Sequence, residues 1–372
     1  MRIVQVANFV TPSSGGLRTT LRHLAKGYAD HGHEVVQILP GADDAKVETL
    51  WGRQVTLRSP ALGSTGYRLL LDRGGVRRAL ERAAPHALEV HDRTTLRGLG
   101  RWARAHGAPS LVVSHERLDR WLDQWLPARS RLDVLADRSN AALARDFDTV
   151  VCTTEWAAEE FRRLHVPRLA VVPLAVDSAA FPCRPGPRGP AAGTGDDGVA
   201  LVMASRLSRE KCPEVALGTV RELLRRGVAA RLVVAGDGPL RRRLQATARD
   251  LPVEWLGFVP DRARLAAVLA DADVALAPGP VETFGLAALE ALASGTPVVA
   301  DARSALPGVL GPDAGRAAVG GCRAFADGVQ DLLATPERIR RAAARARAEE
   351  FSWEATVRGF LDVHARALSG VP

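Results

Sequence analysis

The sequence VETFGLAALEALASGTPVVA, residues 281–300, decides how the second half of the chain folds. Its run of Leu and Ala has a high helix propensity, and Gly295 follows that run as a helix C-cap would. Residues 297–300 are apolar, which predicts a short buried strand. Glu282 is therefore expected on a loop at the start of a helix, and Glu290 just over two helical turns further along.

Two carboxylates in this setting suit a ligand that carries hydroxyl groups. An ionised carboxylate accepts strong hydrogen bonds from hydroxyls, and the free N–H groups at a helix start can hold an anion. Those N–H groups belong here to Phe284, Gly285 and Leu286. The stretch therefore predicts a site for a molecule with sugar and phosphate groups. A surface loop followed by a helix with two solvated glutamates would have the same spacing.

Length and composition limit the class of protein. With 372 residues, the chain is long enough for two domains, each with its own core. Hydrophobic residues make up 47% and charged residues 25%, the balance of an ordinary globular protein. No apolar run is long enough to span a membrane. Residues 1–10 predict a first strand rather than a secretory signal, so we expect a cytoplasmic protein.

The net charge of +8 suggests an anionic partner, such as nucleic acid, lipid headgroups or a phosphorylated substrate. However, Lys26, Lys46 and Lys211 are the only lysines, and the other cations are arginines in a chain rich in Ala and Gly. This usage indicates a coding bias rather than a function. The sequence has no pattern typical of a nucleic-acid-binding motif, and we expect no nucleic-acid partner. Its four scattered cysteines have no metal-binding spacing.

The first half begins with an apolar strand over residues 2–7, a loop that ends in Gly15 and Gly16, and a helix over residues 17–28. A glycine loop between strand and helix lets the backbone approach a phosphate, and Arg18 in the first turn adds charge. A simple glycine turn is the alternative. Strands and helices then alternate, which predicts a parallel sheet with ligands at the carboxyl ends of its strands.

Polar residues follow two of these predicted strands. Because a histidine at a strand's carboxyl end faces a binding site more often than a core, we interpret His115 as a site residue rather than a surface histidine. Other polar residues at the ends of these two strands, and one residue after the glycine loop, are candidate contacts to a second substrate. They are Arg18, Asp92, Arg93, Glu116 and Arg117.

Residues 182–198 are dense in Pro and Gly, which indicates a linker between domains. The strand that follows ends in a loop with Arg206 and Lys211, two cations that suit a diphosphate. Asp271 and Asp273 form a D-x-D pattern between a helix and a strand. We interpret this pair as structural, and we expect no metal site.

The stretch over residues 281–300, with Glu282 and Glu290 eight positions apart, resembles the signature of the family 4 retaining glycosyltransferases, and Arg206 and Lys211 fit the same family. A narrower likeness within the family rests on SGGLRT (14–19), SHERLDR (114–120), VVCTT (150–154), APGPVETFGLAALEALASG (277–295) and SALPGVL (304–310). The resemblance implies an α/β protein of GT-B fold, with two Rossmann-like parallel-sheet domains facing across a cleft. It places an acceptor domain in residues 1–175, a linker in 176–198 and a nucleotide-sugar domain in 199–352. Residues 353–372 are expected to form a helix that crosses back to the first domain.

The resemblance also assigns roles to the candidate residues. Glu282 would contact the donor sugar and Glu290 the ribose, while Arg206 and Lys211 would neutralise the diphosphate. His115 would line the donor-sugar site near the anomeric carbon. The same likeness implies that the other donor contacts are Gly15, Gly16, Val259, Asp261, Thr283, Phe284, Gly285 and Leu286, with Asp261 favouring guanine as the base.

Within this family the chain looks most like GDP-mannose-dependent phosphatidylinositol mannoside mannosyltransferases. We therefore expect metal-independent mannose transfer from GDP-mannose to a lipid-linked acceptor with retention of configuration and no cofactor besides the donor. A basic segment over residues 67–82 predicts a peripheral contact with an anionic membrane on its cytoplasmic face. Its arginines are Arg68, Arg73, Arg77, Arg78 and Arg82. The alternative for this segment is an ordinary solvated helix face.

Two other enzyme functions use similar residues and remain open at this point. One is a UDP-sugar-dependent transferase with a soluble acceptor or another glycolipid as its substrate. The other is a nucleotide-sugar epimerase, which would need no acceptor at all.

Overall fold

Two separate β-sheets organise the chain in the computed structural model, which describes residues 1–10, 16–63, 67–123, 129–184 and 198–369. Each sheet is the centre of one unit. The first unit comprises Met1–Leu174 and Trp353–Pro372, and the second comprises Ala175–Ser352. Within the described residues, no helix has the length and hydropathy that a membrane span requires.

The sheet of the first unit is built from short apolar runs. Its strands are β1 (Arg2–Ala7), β2 (Glu34–Gly41), β3 (Ala45–Thr49), β4 (Gly52–Arg58), β5 (Ala87–His91), β6 (Ser110–Ser114), β7 (Thr149–Cys152) and β8 (Leu169–Val171). Their order is β3-β4-β2-β1-β5-β6-β7-β8. All neighbours are parallel except β3 and β4, which form an antiparallel pair.

Strand β3 is an antiparallel edge strand that the sequence alone did not predict. It is mostly exposed at the edge of the sheet, and its sequence AKVET has little apolar character. A strand covered on neither face needs no hydrophobic pattern, so periodicity could not reveal it.

Helices cover both faces of this sheet, which explains why the central strands are almost continuously apolar. The helices before the second unit are α1 (Gly16–Asp30), α2 (Arg73–Ala83), α3 (Leu99–Ala105), α4 (Leu118–Asp123), α5 (Arg129–Asp146) and α6 (Glu155–Arg162). On one face, Leu80, Trp102 and Phe161 pack against the strands. On the other face, the core contains Leu24 and Phe360.

The second unit has a six-stranded sheet in which every neighbouring pair is parallel. Its strands are β9 (Val199–Ala204), β10 (Ala230–Ala235), β11 (Val253–Gly257), β12 (Val274–Ala277), β13 (Val298–Asp301) and β14 (Gly315–Ala318). Its helices are α7 (Pro213–Arg225), α8 (Arg241–Thr247), α9 (Arg262–Ala270), α10 (Leu286–Ala293), α11 (Leu306–Leu310), α12 (Cys322–Leu333) and α13 (Glu337–Glu349).

The last helix, α14 (Trp353–Ser369), belongs to the first unit. It packs on α1, where a Cβ at Gly27 would lie only 2.3 Å from Val357 Cγ2. The absence of a side chain at Gly27 therefore permits the close approach of the two helices. The ring of Trp353 also stacks on His23, with 4.3 Å between the ring centroids.

Each sheet has a point at which the order of its strands reverses. In the second sheet, whose order is β11-β10-β9-β12-β13-β14, this point lies between β9 and β12. In the first sheet it lies between β1 and β5. Connections leave in opposite directions there, which opens a crevice at the carboxyl ends of the strands where ligands bind in such folds.

Candidate active site

The reversal point of the second sheet carries two of the predicted donor residues. Strand β9 is followed by a 3-10 turn at Arg209–Lys211, and β12 is followed by the loop that contains Glu282. Because β9 and β12 are neighbours, Lys211 Nζ forms an ion pair with Glu282 Oε2. Their side chains are 28% and 26% exposed, so solvent or a ligand can reach the pair.

Arg206 is exposed on the same loop as Lys211. Its guanidinium pairs with Glu210, and its Nε lies 3.2 Å from Ser208 Oγ. Burial would raise the pKa of Glu210, but the hydrogen bonds from Ser208 and Arg206 outweigh burial and lower that pKa. Glu210 is therefore an ionised carboxylate that orients Arg206. Sequence reasoning missed it, because Arg206 lies on a loop and not on a helix where a spacing of four residues would predict a pair.

Gly285 shapes the turn between Glu282 and helix α10. Its backbone has φ +82°, a left-handed conformation that only glycine adopts without strain. A Cβ here would lie 2.3 Å from Leu306 Cδ2 and 3.2 Å from Glu282 Cγ. The backbone N–H of Ala305 also donates to the carbonyl oxygen of Glu282 at 2.9 Å. The glycine thus lets the Glu282 loop pack closely against the start of α11.

The predicted residues beside Gly285 differ in exposure. Phe284 is buried, and its ring packs edge-on against Phe351 with 5.9 Å between centroids. Thr283 and Leu286 are partly exposed. The ring of Phe284 is therefore part of the core. Because Gly285 is the N-cap of α10, the first helical N–H group is that of Leu286.

Glu290 lies in α10, and its side chain is 16% exposed. Burial raises the pKa of Glu290 to about 7, and the positive charge of Arg262 opposes this shift only in part. The distance from Arg262 Nη2 to Glu290 Oε1 is 3.5 Å. Arg262 also lies over the ring of Phe181, 4.8 Å from its centroid. Sequence reasoning missed Arg262, because one arginine among so many carries no signal.

The predicted base-binding loop follows β11 and leads to Arg262. Asp261 is exposed, and its Oδ1 accepts a hydrogen bond from the backbone N–H of Ala263 at 2.9 Å. This contact makes Asp261 the N-cap of α9. Val259 is partly exposed on the same loop. The predicted contact of Asp261 with guanine stays a prediction, since a capping role alone would also favour aspartate here.

The two acids of the D-x-D pattern point to different partners. Asp271 pairs with Arg184. Asp273 is buried, accepts from the backbone N–H of Ala200 at 2.9 Å and lies 3.2 Å from Arg340 Nη2. These contacts connect elements of the second unit. Across the described residues, no cluster of three or more potential metal ligands occurs.

In the first unit, His115 follows β6 and lies beside His91, the last residue of β5. Their rings are stacked with 5.1 Å between centroids, and His91 Nδ1 lies 2.8 Å from His115 Nε2. Burial and the neighbouring His91 lower the pKa of His115 to about 3. His115 is therefore neutral at physiological pH. Both histidines line a cavity of about 200 Å³, as do the predicted site residues Gly16, Asp92, Arg93 and Glu116.

Asp92 and Arg93 are held by buried hydrogen bonds. Asp92 Oδ2 accepts from Asn8 Nδ2 at 2.8 Å. Arg93 Nη1 donates to Glu160 Oε1 at 2.6 Å and to Ser114 Oγ at 3.0 Å. Both side chains thus fix the shape of the cavity wall. Their predicted contact with an acceptor stays a prediction.

The remaining acceptor candidates have different surroundings. Arg117 is buried, binds Asp119 through two nitrogens and lies 4.6 Å from the ring centroid of Trp156. Glu116 is exposed. Arg18 is exposed in the first turn of α1, which begins at Gly16. The other predicted glycine, Gly15, lies outside the described residues.

The basic segment over residues 67–82 is helical only from the start of α2. Val76 and Leu80 of α2 are buried in the core, while Arg73, Arg77, Arg78 and Arg82 are exposed. Arg68 precedes the helix and donates to the carbonyl oxygen of Ser59 at 2.6 Å. The apolar side of α2 is therefore covered by the protein core, and the predicted contact of its arginines with an anionic membrane stays a prediction.

Two family models match this chain, and each covers most of one structural unit. Residues 15–175 match the family described as "Glycosyl transferase 4-like domain", and residues 191–349 match "Glycosyl transferases group 1". A GDP-mannose-dependent alpha-(1-6)-phosphatidylinositol dimannoside mannosyltransferase of Mycobacterium tuberculosis is 47% identical over 357 residues, which cover 95% of this chain and 93% of that protein. The chain belongs to the family 4 glycosyltransferases.

More distant members of the glycosyltransferases share the architecture. A D-inositol 3-phosphate glycosyltransferase of Saccharomonospora viridis is 32% identical, with 71% of each chain covered. Sucrose-phosphate synthase from Thermosynechococcus elongatus superimposes with a TM-score of 0.79 at 19% identity, and 99% of each chain is covered. Anabaena HepE in complex with UDP-glucose gives a TM-score of 0.71 at 15% identity over 100% of both chains. The predicted GT-B fold of this glycosyltransferase is confirmed.

Proposed function

We propose that this glycosyltransferase moves mannose from GDP-mannose to a phosphatidylinositol mannoside, with the dimannoside as the acceptor and an alpha-(1-6) linkage as the product. The observation that carries the proposal is the 47% identity to the M. tuberculosis enzyme of that name, over nearly the full length of both chains. The convergence of Lys211 and Glu282 at the reversal point of the second sheet supports a donor site there.

Donor binding requires the two cations to exchange partners. Lys211 is paired with Glu282, and Arg206 is paired with Glu210. Both pairs are partly exposed to solvent, and ion pairs at a protein surface contribute only about 0–1 kcal/mol. A diphosphate with two negative charges can therefore replace Glu282 as the partner of Lys211. Glu282 is then released to accept hydrogen bonds from the sugar hydroxyls. In this proposal Arg206 and Lys211 supply the positive charge, and no metal ion or other cofactor takes part.

The transfer step that we propose proceeds with retention. The acceptor oxygen attacks the anomeric carbon on the same face from which the phosphate leaves. The bond between that carbon and the phosphate oxygen breaks, and the departing GDP takes the proton of the acceptor hydroxyl. Arg206 and Lys211 stabilise the growing charge on the diphosphate, Glu290 holds the ribose, and neutral His115 lines the donor-sugar site.

We infer that the enzyme meets its lipid acceptor at the cytoplasmic face of the membrane through the exposed arginines of α2. Since the apolar side of α2 is buried, the contact would be electrostatic rather than inserted. Each arginine near an anionic surface contributes about 1 kcal/mol, and salt weakens that attraction.

A transferase with a water-soluble acceptor is the second candidate. It is favoured by the likeness to enzymes named D-inositol 3-phosphate glycosyltransferase, although the identity is lower and less of each chain is covered. A donor and acceptor panel separates the candidates. The enzyme is incubated with GDP-mannose, UDP-glucose or UDP-galactose, each with phosphatidylinositol dimannoside, with inositol phosphate or without acceptor, and the product masses are read.

Mannosylated lipid formed only from GDP-mannose supports the proposal. Transfer from a UDP-sugar, transfer to inositol phosphate alone, or a nucleotide sugar isomerised without acceptor would each overturn it.

Two lysine substitutions, one at the donor site and one far from it in sequence, form a matched test of the donor site. Lys211→Met removes the phosphate-binding cation, and we expect kcat/KM to fall on the order of 10²-fold to 10³-fold. Lys26→Met removes an exposed cation of α1 that pairs with Asp30 and should leave turnover unchanged.

A further inference from the structure

Three neighbouring strands of the first sheet carry a polar side chain at equivalent positions inside apolar runs. Gln37 in β2 is in register with Gln5 in β1, and Gln5 is in register with Glu89 in β5. Gln37 Nε2 donates to Gln5 Oε1 at 2.9 Å, and Gln5 Nε2 donates to Glu89 Oε1 at 2.7 Å. All three are buried. A buried carboxylate is costly unless it is fully hydrogen-bonded, so a role for Glu89 is needed to explain it.

Glu89 accepts hydrogen bonds at both carboxylate oxygens. Besides Gln5, Oε1 accepts from His91 Nε2 at 2.6 Å. Oε2 accepts from Tyr28 at 2.7 Å and from His364 Nε2 of α14 at 3.0 Å. Burial would raise the pKa of Glu89, but the hydrogen bonds from His364 and His91 outweigh it and hold that pKa well below its usual range. Glu89 is therefore an acceptor only, and His91 Nε2 must carry a proton.

This constraint passes from His91 to His115. Since Nε2 of His91 is committed to Glu89, the nitrogen that faces His115 Nε2 is Nδ1, at 2.8 Å. A neutral His91, which carries its proton on Nε2, accepts a hydrogen bond at Nδ1 from the Nε2–H of His115. A doubly protonated His91 instead donates a hydrogen bond from Nδ1–H to an unprotonated His115 Nε2. Each protonation state of His91 selects one tautomer of the neutral His115 ring, because Nε2 of His115 must donate to a neutral His91 and accept from a doubly protonated one.

We propose that Glu89 and His91 are positioning residues for the transfer reaction, a buried relay that fixes the tautomer and ring orientation of His115. The role rests on the proposed function, in which His115 lines the donor-sugar site. It accounts for a buried carboxylate that is hydrogen-bonded to His91, which lines the cavity of about 200 Å³ together with His115. Glu89 and His91 are two residues apart on one strand and so project from the same face.

The decisive variant is His91→Phe, which keeps a ring but removes both nitrogens. We expect kcat to fall on the order of 10²-fold, because small misplacements of a site residue have effects of that size, while KM for the donor changes little. Tyr28→Phe is the matched control. It removes a hydrogen bond to the other oxygen of Glu89 without touching His91, and kcat should stay within about twofold of wild type. In a His115→Phe background, His91→Phe should cause no further loss.

Equal losses in both variants, or additive losses in the double variant, would show a general packing role and overturn the proposal. If His91→Phe fails to fold, His91→Asn replaces it. Asparagine can still reach His115 but not Glu89, so we expect an intermediate kcat. Turnover equal to wild type in a folded His91→Asn would refute the relay.

A readout without substrate separates this inference from the proposed reaction. Nitrogen-15 NMR of labelled histidines distinguishes protonated from unprotonated ring nitrogens. We expect one tautomer of His115 in the wild type and a mixture in His91→Phe. A tautomer mixture in the wild type would refute the relay even for an active enzyme. A wild type inactive with every donor would refute the proposed function, while the spectrum would still decide the inference.

Discussion

Replacing Glu290 by Gln should stabilise the protein in a way that depends on pH. Burial raises the pKa of Glu290 from 4.5 to about 7, so the folded state keeps this proton over a range in which the unfolded chain releases it. Stability is therefore lost as pH rises from about 4.5 through 7 and is constant above that range. Each pKa unit corresponds to about 1.4 kcal/mol, which gives a cost of about 3 kcal/mol at pH 8.

Glutamine has nearly the same shape and cannot ionise, so Glu290→Gln removes this cost. We expect no gain in unfolding free energy at pH 4.5 and a gain that grows to about 3 kcal/mol at pH 8. Urea unfolding of both proteins across this pH range measures the difference. Glu254→Gln, which changes an exposed carboxyl of the same unit, is the control and should give no such trend.

A difference that does not change between pH 4.5 and pH 8 would refute the reasoning, because it would mean that Glu290 ionises freely in the folded protein. Glu290→Gln should weaken donor binding, although it stabilises the folded protein. If Glu290 holds the ribose, its amide variant loses a hydrogen bond to a charged group, and GDP should bind about 10-fold to 100-fold more weakly. The same substitution would then stabilise the protein and impair the enzyme.

Three other predictions concern the backbone, the surface and the second titratable site. Gly285→Ala should lower the unfolding free energy by about 2 kcal/mol or more, given its left-handed conformation and the nearby leucine of α11, whereas Gly308→Ala, with open space around it, should not. Reversing the charges of Arg77 and Arg78 should weaken binding to anionic vesicles about 30-fold or more in a sedimentation assay, and equal binding would exclude α2 as the contact. The third substitution is His115→Phe. As pH falls from 6.5 to 3, the unfolded chain binds a proton at His115 that the folded protein does not, so the unfolding free energy of the wild type falls. The variant lacks this contribution and should lose less stability over the same range, and parallel curves for the two proteins would contradict this.

The elements that carry the predicted donor residues could be predicted from the sequence because each of them is local. Arg206 and Lys211 lie on a turn between strand β9 and helix α7. Glu282 lies on the loop between strand β12 and helix α10, and Glu290 lies within that helix. Phe284 shows the limit of this reasoning, since it lies within the predicted stretch but has a buried ring. Nearness in sequence predicts where a residue lies and not which of its groups is accessible.

The partners of these residues could not be predicted, because they come from distant parts of the chain. Arg262 reaches Glu290 from another helix, and Glu89 had no visible function in its apolar strand.

The sequence by itself determined the alternation of strands and helices, because periodicity and turn residues act over a few positions. It also singled out the acids and bases of the predicted donor site, whereas residues 185–197 of the predicted linker lie outside the described part of the chain. Only the tertiary structure decided which residues meet. Lys211 and Glu282 are 71 positions apart and pair because β9 and β12 are neighbours where the strand order reverses. Likewise, the sequence shows apolar residues in α2, and only the structure shows that the core of the first unit covers Val76 and Leu80. Hydrophobic patterning shows that a face must be buried, and only the packing of the whole unit shows what buries it.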